Sequence, residues 1–553
     1  MSDSKRILIV GGVAGGASAA ARARRLDETA EIIVFEKGPF VSFANCGLPY
    51  FVGDVITEES KLLVATPEVF RDRFRIQVRT ETEVTSIDAE AKTVEVKCLS
   101  SGEVSTEPYD ALVLSPGAHP IRPPVDGIDL PGVFMVRTIP DSRKIRSWLV
   151  ERSPERAVVV GGGFIGIEMA ENLVHRGLEV TLVEMAPQVM PPLDPEMAAL
   201  LAERMRAAGV RLQLGDAVTA FEALEGDRLR LSTKSGLSLD ADLVIMSVGV
   251  RPATELAKAA GLALGERGGI AVDQHMRTSK PGIWAVGDAV EVKEMTSGMD
   301  LVLPLAGPAN RQGRIAASDI CGREASFRGV QGTAVVGCFG LAAAVTGSNE
   351  RALARAGITG YETIYLHPGH HVGYYPGAKT IHLKLIFDPS DGKILGAQAV
   401  GEEGAARRID VIATAIQLGG TVFDLEEAEL CYAPQFGAAK DPVNLAGMIA
   451  VNVVQGLHPV ASWGDDLSEV LLVDVRKPGE LEAESVEGAV NIPLESLRDR
   501  LEEIPDDRPV RVFCQVGKRG YYATRALLQA GKQVANLSGG ITTRRGFVAA
   551  EKR

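Results

Sequence analysis

Two glycine-rich segments, beginning at Gly11 and Gly161, constrain the fold of this 553-residue chain more than any other feature. Each follows a short aliphatic run and opens a helix-forming stretch. A second aliphatic run then ends in an acid, Glu36 in the first copy and Glu184 in the second. Such a strand–turn–helix–strand unit binds a dinucleotide, because glycine lets the backbone approach the pyrophosphate and the helix N-terminus stabilises its charge. Two copies therefore predict two Rossmann-like dinucleotide-binding folds.

The two copies differ in their middle position. The second has glycine at 161, 163 and 166, whereas the first has Val13 between Gly11 and Gly16. We predict that one dinucleotide is held tightly and that the other exchanges. Glu184 favours a free ribose 2′-hydroxyl and would repel a 2′-phosphate, so NADH is preferred over NADPH. The predicted contacts are Gly11, Gly12, Ala14, Gly15, Gly16, Glu36 and Lys37 in the first unit, and Gly161, Gly163, Phe164, Ile165, Gly166 and Glu184 in the second.

Further strand ends fall where a flavin could be held. One strand, 109–114, leads to Ser115 and Gly117, and another, 243–247, leads to Gly249. A third runs into Gly287-Asp288, and a predicted helix over 304–320 follows, beginning near Pro304 and Ala306. Asp288 would bind a ribityl chain and the helix dipole would face the isoalloxazine ring. From residue spacing alone, however, Gly287-Asp288 is also compatible with an ordinary strand end.

One cysteine, Cys46, lies in the stretch Ser42-Phe43-Ala44-Asn45-Cys46-Gly47-Leu48-Pro49-Tyr50, soon after the first unit. A dithiol flavoenzyme would carry a second cysteine nearby, but the position five residues on is Phe51. The order of elements over residues 5–450 resembles the two-dinucleotide-fold flavoprotein disulfide reductases. The cysteine stretch is similar to the coenzyme A-disulfide reductase branch, which uses one cysteine. The related NADH oxidase and peroxidase branch also has one cysteine, but its neighbouring residues differ.

This resemblance implies an α/β fold with FAD and NADH domains, an α+β dimerisation domain and a homodimer whose active site is shared between subunits. It places the FAD-binding domain at 1–150 and 251–325, the NAD-binding domain at 151–250 and the dimerisation domain at 326–450. The family pattern assigns Tyr374 and Tyr432 to the partner subunit's active site, with Tyr375 as an alternative to Tyr374, and Lys440 as a ligand contact. Phe436 stands where the family often has another tyrosine.

A coenzyme A ligand would bring several phosphate charges. Ser18, Arg22 and Arg25 share one face of the first helix at i, i+4 and i+7. Arginines of this kind are often only solvated, but the resemblance makes this face the coenzyme A site. The implied contacts are Ser18, Arg22, Arg25, Ser42, Asn45, Arg71, Asn310 and Lys440.

The C-terminal part resembles a single rhodanese domain, predicted over 466–553 after a linker at 451–465. Its reactive loop would be Cys514-Gln515-Val516-Gly517-Lys518-Arg519 at a strand-to-helix junction. Backbone N–H groups and the two basic side chains there lower a thiol pKa and stabilise anionic sulfur. A predicted helix over 494–503 precedes this loop. The other cysteines, at positions 98, 321, 338 and 431, are interpreted as structural.

Composition excludes several classes. The net charge of -13 argues against nucleic acid as the main partner. No apolar run approaches the roughly 18 residues that span a membrane, and the short apolar run that follows Arg6 is too short for the apolar region of a signal peptide. Six scattered cysteines without metal or disulfide spacing predict a reduced cytoplasm and no metal site.

Together these features predict an FAD-dependent enzyme in which NADH reduces CoA persulfide, polysulfide or CoA disulfide at Cys46. The rhodanese-like part favours persulfide, because such domains transfer sulfane sulfur, and hydrogen sulfide would be released. Two alternatives remain open from the sequence. One is a plain CoA-disulfide reductase. The other is a sulfur-carrier or redox-sensing protein, in which Cys514 binds partners and flavin turnover is slow.

Overall fold

Strands and helices alternate along the chain, and the structure, a computed structural model, describes residues 4–551. The strands are β1 Arg6–Val10, β2 Glu31–Phe35, β3 Gln77–Arg79, β4 Thr82–Asp88, β5 Thr93–Cys98, β6 Val104–Pro108, β7 Ala111–Leu114, β8 Ala118–Pro120, β9 Val133–Met135, β10 Arg156–Val160, β11 Glu179–Glu184, β12 Arg211–Leu214, β13 Val218–Ala223, β14 Leu229–Thr233, β15 Ser238–Ala241, β16 Leu243–Met246, β17 Val250–Pro252, β18 Ile270–Ala271, β19 Ile283–Ala285, β20 Val290–Lys293, β21 Asp300–Val302, β22 Ala334–Cys338, β23 Leu341–Gly347, β24 Glu362–Leu366, β25 Ile381–Phe387, β26 Ile394–Gly401, β27 Val460–Ala461, β28 Leu471–Asp474, β29 Val490–Asn491, β30 Val510–Phe513 and β31 Val534–Leu537.

The α-helices are α1 Ala14–Leu26, α2 Leu48–Val52, α3 Pro67–Phe74, α4 Ile139–Arg152, α5 Phe164–His175, α6 Pro195–Ala207, α7 Glu255–Ala259, α8 Ala306–Ile320, α9 Glu350–Arg355, α10 Ala405–Leu418, α11 Val422–Glu427, α12 Pro442–Val454, α13 Pro478–Leu481, α14 Lys518–Gln529 and α15 Gly540–Glu551. Short 3-10 turns lie at Asn45–Gly47, Glu59–Leu62, Gly287–Ala289, Leu497–Asp499 and Leu501–Glu503.

The chain divides into two compact units, the first made of residues up to 183 together with 217–330. Its central sheet has five parallel strands in the order β19-β7-β1-β2-β3. The strands β11, β10, β16 and β9 form a second parallel arrangement. Ile7, Leu8 and Ile9 on β1 are fully buried, as expected for a parallel sheet covered on both faces. Each glycine-rich segment therefore joins a buried strand to a helix.

The second unit comprises residues 184–216 and the chain from 331 onward. It contains an antiparallel sheet in the order β22-β23-β26-β25-β24, whose core is shared with α10 and α12. It also contains a parallel sheet in the order β27-β31-β30-β28-β29, covered by α14. The first arrangement is α+β and the second α/β, so the fold class predicted from the sequence is confirmed.

Helix α15 packs against α6 within this second unit. The backbones approach so closely at Gly546 that a Cβ there would lie 2.6 Å from the carbonyl oxygen of Glu196. Next to this contact, the Tyr365 N–H donates to the Ser538 hydroxyl at 2.9 Å. The His367 ring shares a hydrogen bond of 2.7 Å with the Thr543 hydroxyl. The loop after β31 is thereby fastened to β24.

One predicted element is wrong. The stretch 494–503 forms two 3-10 turns rather than a helix, with a break at Arg500, where φ is -121° and ψ is 23°. The break lets both Leu497 and Ile504 enter the core, where they are 0% and 1% exposed. The predicted domain boundaries stay a prediction. Among residues 4–551, no helix is both long enough and apolar enough to cross a membrane.

Candidate active site

The first glycine-rich loop is closed tightly on itself. Gly11 has φ +90°, and a Cβ there would lie 2.0 Å from the Ser115 carbonyl oxygen. A Cβ at Gly16 would lie 1.9 Å from the Gly11 carbonyl oxygen. Only glycine fits both places, so the start of α1 can approach a bound phosphate closely. Ala14, Gly15 and Ser115 line the same turn, and Gly12 lies against Val41.

Glu36 follows β2 and faces this loop. Its carboxylate accepts from the N–H of Gly12 at 2.8 Å and from the N–H of Gly38 at 2.9 Å. Burial raises the pKa of Glu36, while these two bonds and the charge of Arg137 oppose the rise. The neighbouring Lys37 instead points away to an exposed ion pair with Glu83 at 2.7 Å.

Asp288, in the turn Gly287–Ala289, faces the positive charge of Arg137. Burial raises the pKa of Asp288, and the positive charge of Arg137 opposes that shift. Arg137 Nε donates to the Ala118 carbonyl at 3.0 Å, and a Cβ at Gly117 would lie 2.9 Å from its guanidinium. The N–H of Gly287 donates to Gln312 at 2.7 Å, which joins this turn to α8. Pro304 and Ala306 lie exposed at the start of that helix.

These groups fit a flavin dinucleotide, because a glycine cradle and two acids, Glu36 and the half-buried Asp288, lie just after the carboxyl ends of β1, β2 and β19. Sequence reasoning did not identify Arg137. A signal was present, since the residue immediately precedes the capping box that Thr138 and Asp141 form at the start of α4.

In the second glycine-rich loop, the first and last glycines are closely packed and the middle glycine is open. Gly161 has φ +107°, and a Cβ there would lie 2.4 Å from the Ser247 carbonyl oxygen. A Cβ at Gly166 would lie 1.9 Å from the Gly161 carbonyl oxygen. At Gly163 nothing lies within 4 Å of the Cβ position, so that face is open to a ligand. The open middle glycine between two closely packed ones is the arrangement that receives a pyrophosphate.

The remaining predicted contacts of this unit lie at the ends of its elements. Phe164 and Ile165 begin α5, and Ile165 is 36% exposed. Gly249 has φ +102° immediately before β17. Strand β11 ends at Glu184, whose carboxylate accepts from the Ala186 N–H at 2.7 Å.

Cys46 lies in the 3-10 turn Asn45–Gly47 directly before α2 and is an exposed residue. Desolvation by surrounding protein atoms nevertheless raises the pKa of Cys46, and the charges of Glu168 and Asp288 raise it further. Its own backbone N–H acts in the opposite direction. The thiol therefore meets the same acid, Asp288, that faces Arg137.

The residues predicted to hold coenzyme A form two groups. Ser18 donates to the Asn310 side chain, and Arg22 Nε donates to the Ser318 hydroxyl at 3.2 Å, so α1 and α8 share this face. Arg25 is exposed on the same helix.

The second group surrounds Cys46. Ser42 has φ +47° and donates its N–H to the Gly12 carbonyl. The Asn45 amide, oriented to satisfy both of its groups, accepts from Arg137 at 2.9 Å. Arg71 is an exception to both groups, because it is exposed and paired with Asp72.

Tyr374 and Tyr432 are brought together, with their hydroxyl oxygens 2.7 Å apart. Both side chains are exposed, at 74% and 44%. The hydrogen bond with Tyr374 raises the pKa of Tyr432. Because one hydroxyl donates to the other, the accepting hydroxyl keeps its proton free for an incoming group. Tyr375 instead packs against His371, and Lys440 is exposed.

Cys514 directly follows β30 and is 1% exposed. The start of α15 holds the loop that begins at Cys514. The Ile541 N–H donates to the Cys514 carbonyl at 2.9 Å, and the Thr542 N–H donates to the Gln515 carbonyl at 3.0 Å. Gly517 has φ +90° and precedes α14, which begins at Lys518. Lys518 and Val516 are exposed.

Arg519 makes a bidentate ion pair with Glu480, at 2.6 and 2.7 Å. This pair lowers the pKa of Glu480 to about 2 and raises that of Arg519. Arg519 also interacts with the Cys514 thiol. Sequence reasoning assigned the arginine to the loop but missed Glu480, although this acid follows the strand that ends at Asp474.

Comparisons with known proteins follow the same division of the chain. Residues 5–313 match the pyridine nucleotide-disulphide oxidoreductase family, and residues 333–441 match the dimerisation domain of that family. Residues 461–543 match the rhodanese-like domain.

Three relatives are informative. The crystal structure of reduced Bacillus anthracis CoADR-RHD is 48% identical, covers 100% of this chain and 99% of its own, and superimposes with a TM-score of 0.96. The NAD-dependent persulfide reductase from A. fulgidus is 38% identical, with 97% and 99% coverage and a TM-score of 0.90. Coenzyme A disulfide reductase from Staphylococcus haemolyticus is 34% identical over 80% of this chain and 98% of its own length.

Proposed function

Because the chain belongs to the pyridine nucleotide-disulphide oxidoreductase family and carries a rhodanese-like domain, we propose that it uses NADH to reduce the sulfur–sulfur bond of CoA persulfide or polysulfide and releases hydrogen sulfide. The observation that carries this proposal is that Cys46 is exposed beside the first dinucleotide-binding unit and has no second cysteine near it in the sequence. All six cysteines are free, and the next one along the chain is Cys98. The second sulfur must therefore arrive on the substrate.

Bound FAD supplies two-electron transfer between NADH and the Cys46 sulfur. The glycine loop at Gly11–Gly16, Glu36 and Asp288 would hold it. The second loop, with its open face at Gly163, would hold the exchanging nucleotide. Glu184 supports NADH in preference to NADPH, because a carboxylate at the strand end repels a 2′-phosphate.

The chemistry at Cys46 is a thiol exchange. The Cys46 thiolate attacks the outer sulfur of CoA persulfide, the sulfur–sulfur bond breaks, and coenzyme A leaves as a thiolate that takes up a proton. Cys46 is then a persulfide. Two electrons from NADH, with protons from solvent, cleave this new bond, giving hydrogen sulfide and restoring the thiol.

Tyr374 and Tyr432 are suited to supply the proton for the departing thiolate, because one hydroxyl donates to the other and the accepting hydroxyl keeps an O–H free to donate. We propose that the protein is a homodimer and that each subunit contributes these tyrosines to the other's Cys46. Coenzyme A would lie along the face formed by Ser18, Arg22 and Asn310, with Asn45 beside the reacting sulfur.

Cys514 would hold sulfane sulfur as a persulfide, with Arg519 and the start of α14 stabilising the anion. The rhodanese-like domain favours persulfide over a plain disulfide as the substrate, since sulfane transfer is the chemistry of that domain. We assign the reaction to the reducing cytoplasm, because all six thiols are free.

CoA disulfide reduction is the second candidate, favoured by the coenzyme A disulfide reductase relatives. The two are separated by comparing kcat/KM for CoA persulfide and CoA disulfide in NADH oxidation, with hydrogen sulfide measured in parallel. We expect the persulfide to be the better substrate and Cys46→Ser to abolish both reactions. A higher kcat/KM with CoA disulfide would favour the second candidate, and full turnover by Cys46→Ser would refute both.

A further inference from the structure

Asn536 and His458 form a buried contact with the reactive loop 514–519 that the chemistry above does not use. Asn536 lies on β31 and His458 lies between α12 and β27, and they are 2% and 4% exposed. The Asn536 side-chain nitrogen donates to the Gly517 carbonyl at 3.1 Å and lies 3.1 Å from His458 Nε2. The same carbonyl accepts the first hydrogen bond of α14, from the Tyr521 N–H at 2.8 Å. Both lone pairs of this loop carbonyl are therefore used.

The ring of His458 determines which way the Asn536 amide faces. Burial, with the charge of Arg525 second, lowers the pKa of His458 to about 4, so the ring is neutral at pH 7. Its Nε2 can therefore accept, and the amide turns its N–H groups toward Nε2 and the Gly517 carbonyl. In the opposite orientation, the amide oxygen would face the carbonyl oxygen. The histidine thus keeps a donor directed at the loop.

The surrounding backbone leaves this contact little freedom. The Asn536 N–H donates to the Pro459 carbonyl at 2.9 Å, and the His458 N–H donates to the Asn452 carbonyl at 3.0 Å. Helix α14 lies directly on the amide, because a Cβ at Gly520 would lie 2.2 Å from Asn536 Oδ1. Within the described part of the chain, that oxygen and His458 Nδ1 have no hydrogen-bond partner. Buried polar atoms without partners cost stability, so packing alone does not account for this pair.

Three carbonyl groups of the loop are tied to the structure behind it. Those of Cys514 and Gln515 accept from the start of α15, and that of Gly517 accepts from Asn536. In a trans peptide the N–H points opposite to the carbonyl, so the three N–H groups that follow face away from these partners. They belong to Gln515, Val516 and Lys518. None of them makes a hydrogen bond to the residues that the structure describes, and neighbouring free N–H groups of this kind bind an anion.

We propose that Asn536 and His458 are positioning residues for sulfur at Cys514: the histidine orients the amide, and the amide holds the Gly517 carbonyl so that the loop N–H groups receive the outer sulfur of a Cys514 persulfide. The inference rests on the proposed role of Cys514 as a holder of sulfane sulfur. In that step the Cys514 thiolate attacks the terminal sulfur of a polysulfide, one sulfur–sulfur bond breaks, and the shortened polysulfide leaves with the electron pair. The aligned N–H groups stabilise the charge of the persulfide formed.

The test treats the oxidised holoenzyme with inorganic polysulfide in the absence of NADH. Mass spectrometry of alkylated peptides gives the initial rate of persulfide formation at Cys514, relative to that at Cys46 in the same sample. His458→Gln places an amide oxygen near the position of Nε2 and keeps an acceptor for Asn536, whereas His458→Leu fills the space without one. We expect His458→Gln to keep the native ratio of rates and His458→Leu to lower it about tenfold, the upper end of what one hydrogen bond contributes.

Asn536→Asp is the second variant, because it keeps the shape of the side chain but has no N–H to donate. We expect the same fall in the ratio, which keeps the inference testable if His458→Leu does not fold. Tyr521→Phe is the matched control: its ring stays against His458 and only a hydroxyl outside this contact is lost. We expect it to keep the native ratio.

A native ratio in Asn536→Asp or His458→Leu protein that retains its flavin and its melting temperature would overturn the inference. An equal fall in His458→Gln and His458→Leu would also overturn it, because the acceptor would then be irrelevant. So would an equal fall in Tyr521→Phe, since packing around the ring would then explain the loss.

This measurement needs no flavin turnover, so the two proposals fail separately. If Cys46→Ser still reduces persulfide, the proposed function fails while the ratios measured at Cys514 stand. If native Cys514 takes up sulfur and His458→Leu takes it up as fast, this inference alone fails. If native Cys514 takes up no sulfur, the proposed role of Cys514 and this inference fail together.

Discussion

At the scale of single residues, Tyr374 and Tyr432 are far apart in the sequence, but the fold brings their hydroxyls into contact. Each is exposed, and neither position is distinctive in sequence beyond a cluster of aromatics. Their 2.7 Å hydrogen bond joins two ordinary tyrosines into the pair that we propose as a directed proton donor. On that proposal, removing either hydroxyl impairs the pair.

Tyr432→Phe should therefore lower kcat for persulfide reduction by about 10²-fold, the lower end of what a positioned proton donor contributes. The measurement is steady-state NADH oxidation with CoA persulfide. Tyr375→Phe is the matched control, because Tyr375 packs against His371 and lies outside the pair. A similar loss in both variants would argue against a directed proton donor.

Which of these residues could be predicted depends on how local their signal is. The glycines at 11, 16, 161 and 166 were predicted because the turn itself demands them, and the close approaches at each supply the reason. Glu168 and Glu480 were not predicted, because their partners are distant in sequence: Tyr50 is 118 positions from Glu168, and Arg519 is 39 positions from Glu480. Nothing in a single sequence marks such pairs.

At the scale of elements, patterns of hydrophobic spacing worked where a helix or strand makes its own hydrogen bonds. The helix predicted over 304–320 is observed as Ala306–Ile320, and the strand predicted over 109–114 is observed as Ala111–Leu114. The stretch 494–503 has leucines at helical spacing, yet it folds as two turns because the core requires a bend at Arg500. For such short amphipathic segments, tertiary packing determines whether a helix forms.

The contact between α15 and α6 predicts a sharp size limit at Gly546. Gly546→Ala would place a methyl group 2.6 Å from the Glu196 carbonyl oxygen, so we expect a loss of about 1–3 kcal/mol in the free energy of unfolding. Gly479→Ala is the matched control, because α13 has open space at that position. Urea unfolding curves provide the measurement, and equal stability of the two variants would contradict the packing described.

His367 and His382 lie where β24, β25 and α15 meet, and we expect them to lower the stability of the fold in acid. His367 bonds Thr543 and lies 3.0 Å from the His382 ring nitrogen. Burial, with His382 second, lowers the pKa of His367 from 6.5 to about 3. The unfolded chain therefore binds more protons between these values, and the contribution of neutral His367 is full above about pH 6.5 and declines as pH falls toward 3.

We expect the free energy of unfolding of the native chain to fall below pH 6.5, and His367→Gln to reduce that slope by about one proton. Urea titrations at a series of pH values measure this difference. His119→Gln removes a histidine whose side chain is 54% exposed and should keep the native slope. A native slope retained by His367→Gln would show that another group is responsible.

At the scale of the whole molecule, two of the six free thiols, those of Cys46 and Cys514, lie in different chemical settings. Cys46 is an exposed residue, and desolvation by its surroundings, with the charges of Glu168 and Asp288, raises the pKa of its thiol. Cys514 is buried beside a guanidinium that Glu480 holds in place. The first setting suits a thiol that reacts on demand, and the second suits one that stores anionic sulfur. We therefore interpret the rhodanese-like domain as a handler of sulfane sulfur for the flavin site.

If Cys514 handles sulfane sulfur for the flavin site, its loss should affect some sulfur donors and not others. Cys514→Ser should retain NADH oxidation with free CoA persulfide and lose it with polymeric or protein-bound sulfur. The measurement is the rate with each donor at matched sulfane content. Arg519→Ala should behave in the same way, since it removes the charge that stabilises the Cys514 sulfur. Equal rates with every donor would exclude an upstream role for Cys514.

The central claim is that the second sulfur arrives on the substrate and is transferred to Cys46. Mixing the protein with CoA persulfide in the absence of NADH, followed by mass spectrometry of its peptides, tests this most directly. The account predicts one added sulfur atom on Cys46 and one equivalent of free coenzyme A thiol, both absent in Cys46→Ser. Coenzyme A release with no modification of Cys46, or a modification found only at Cys514, would contradict it.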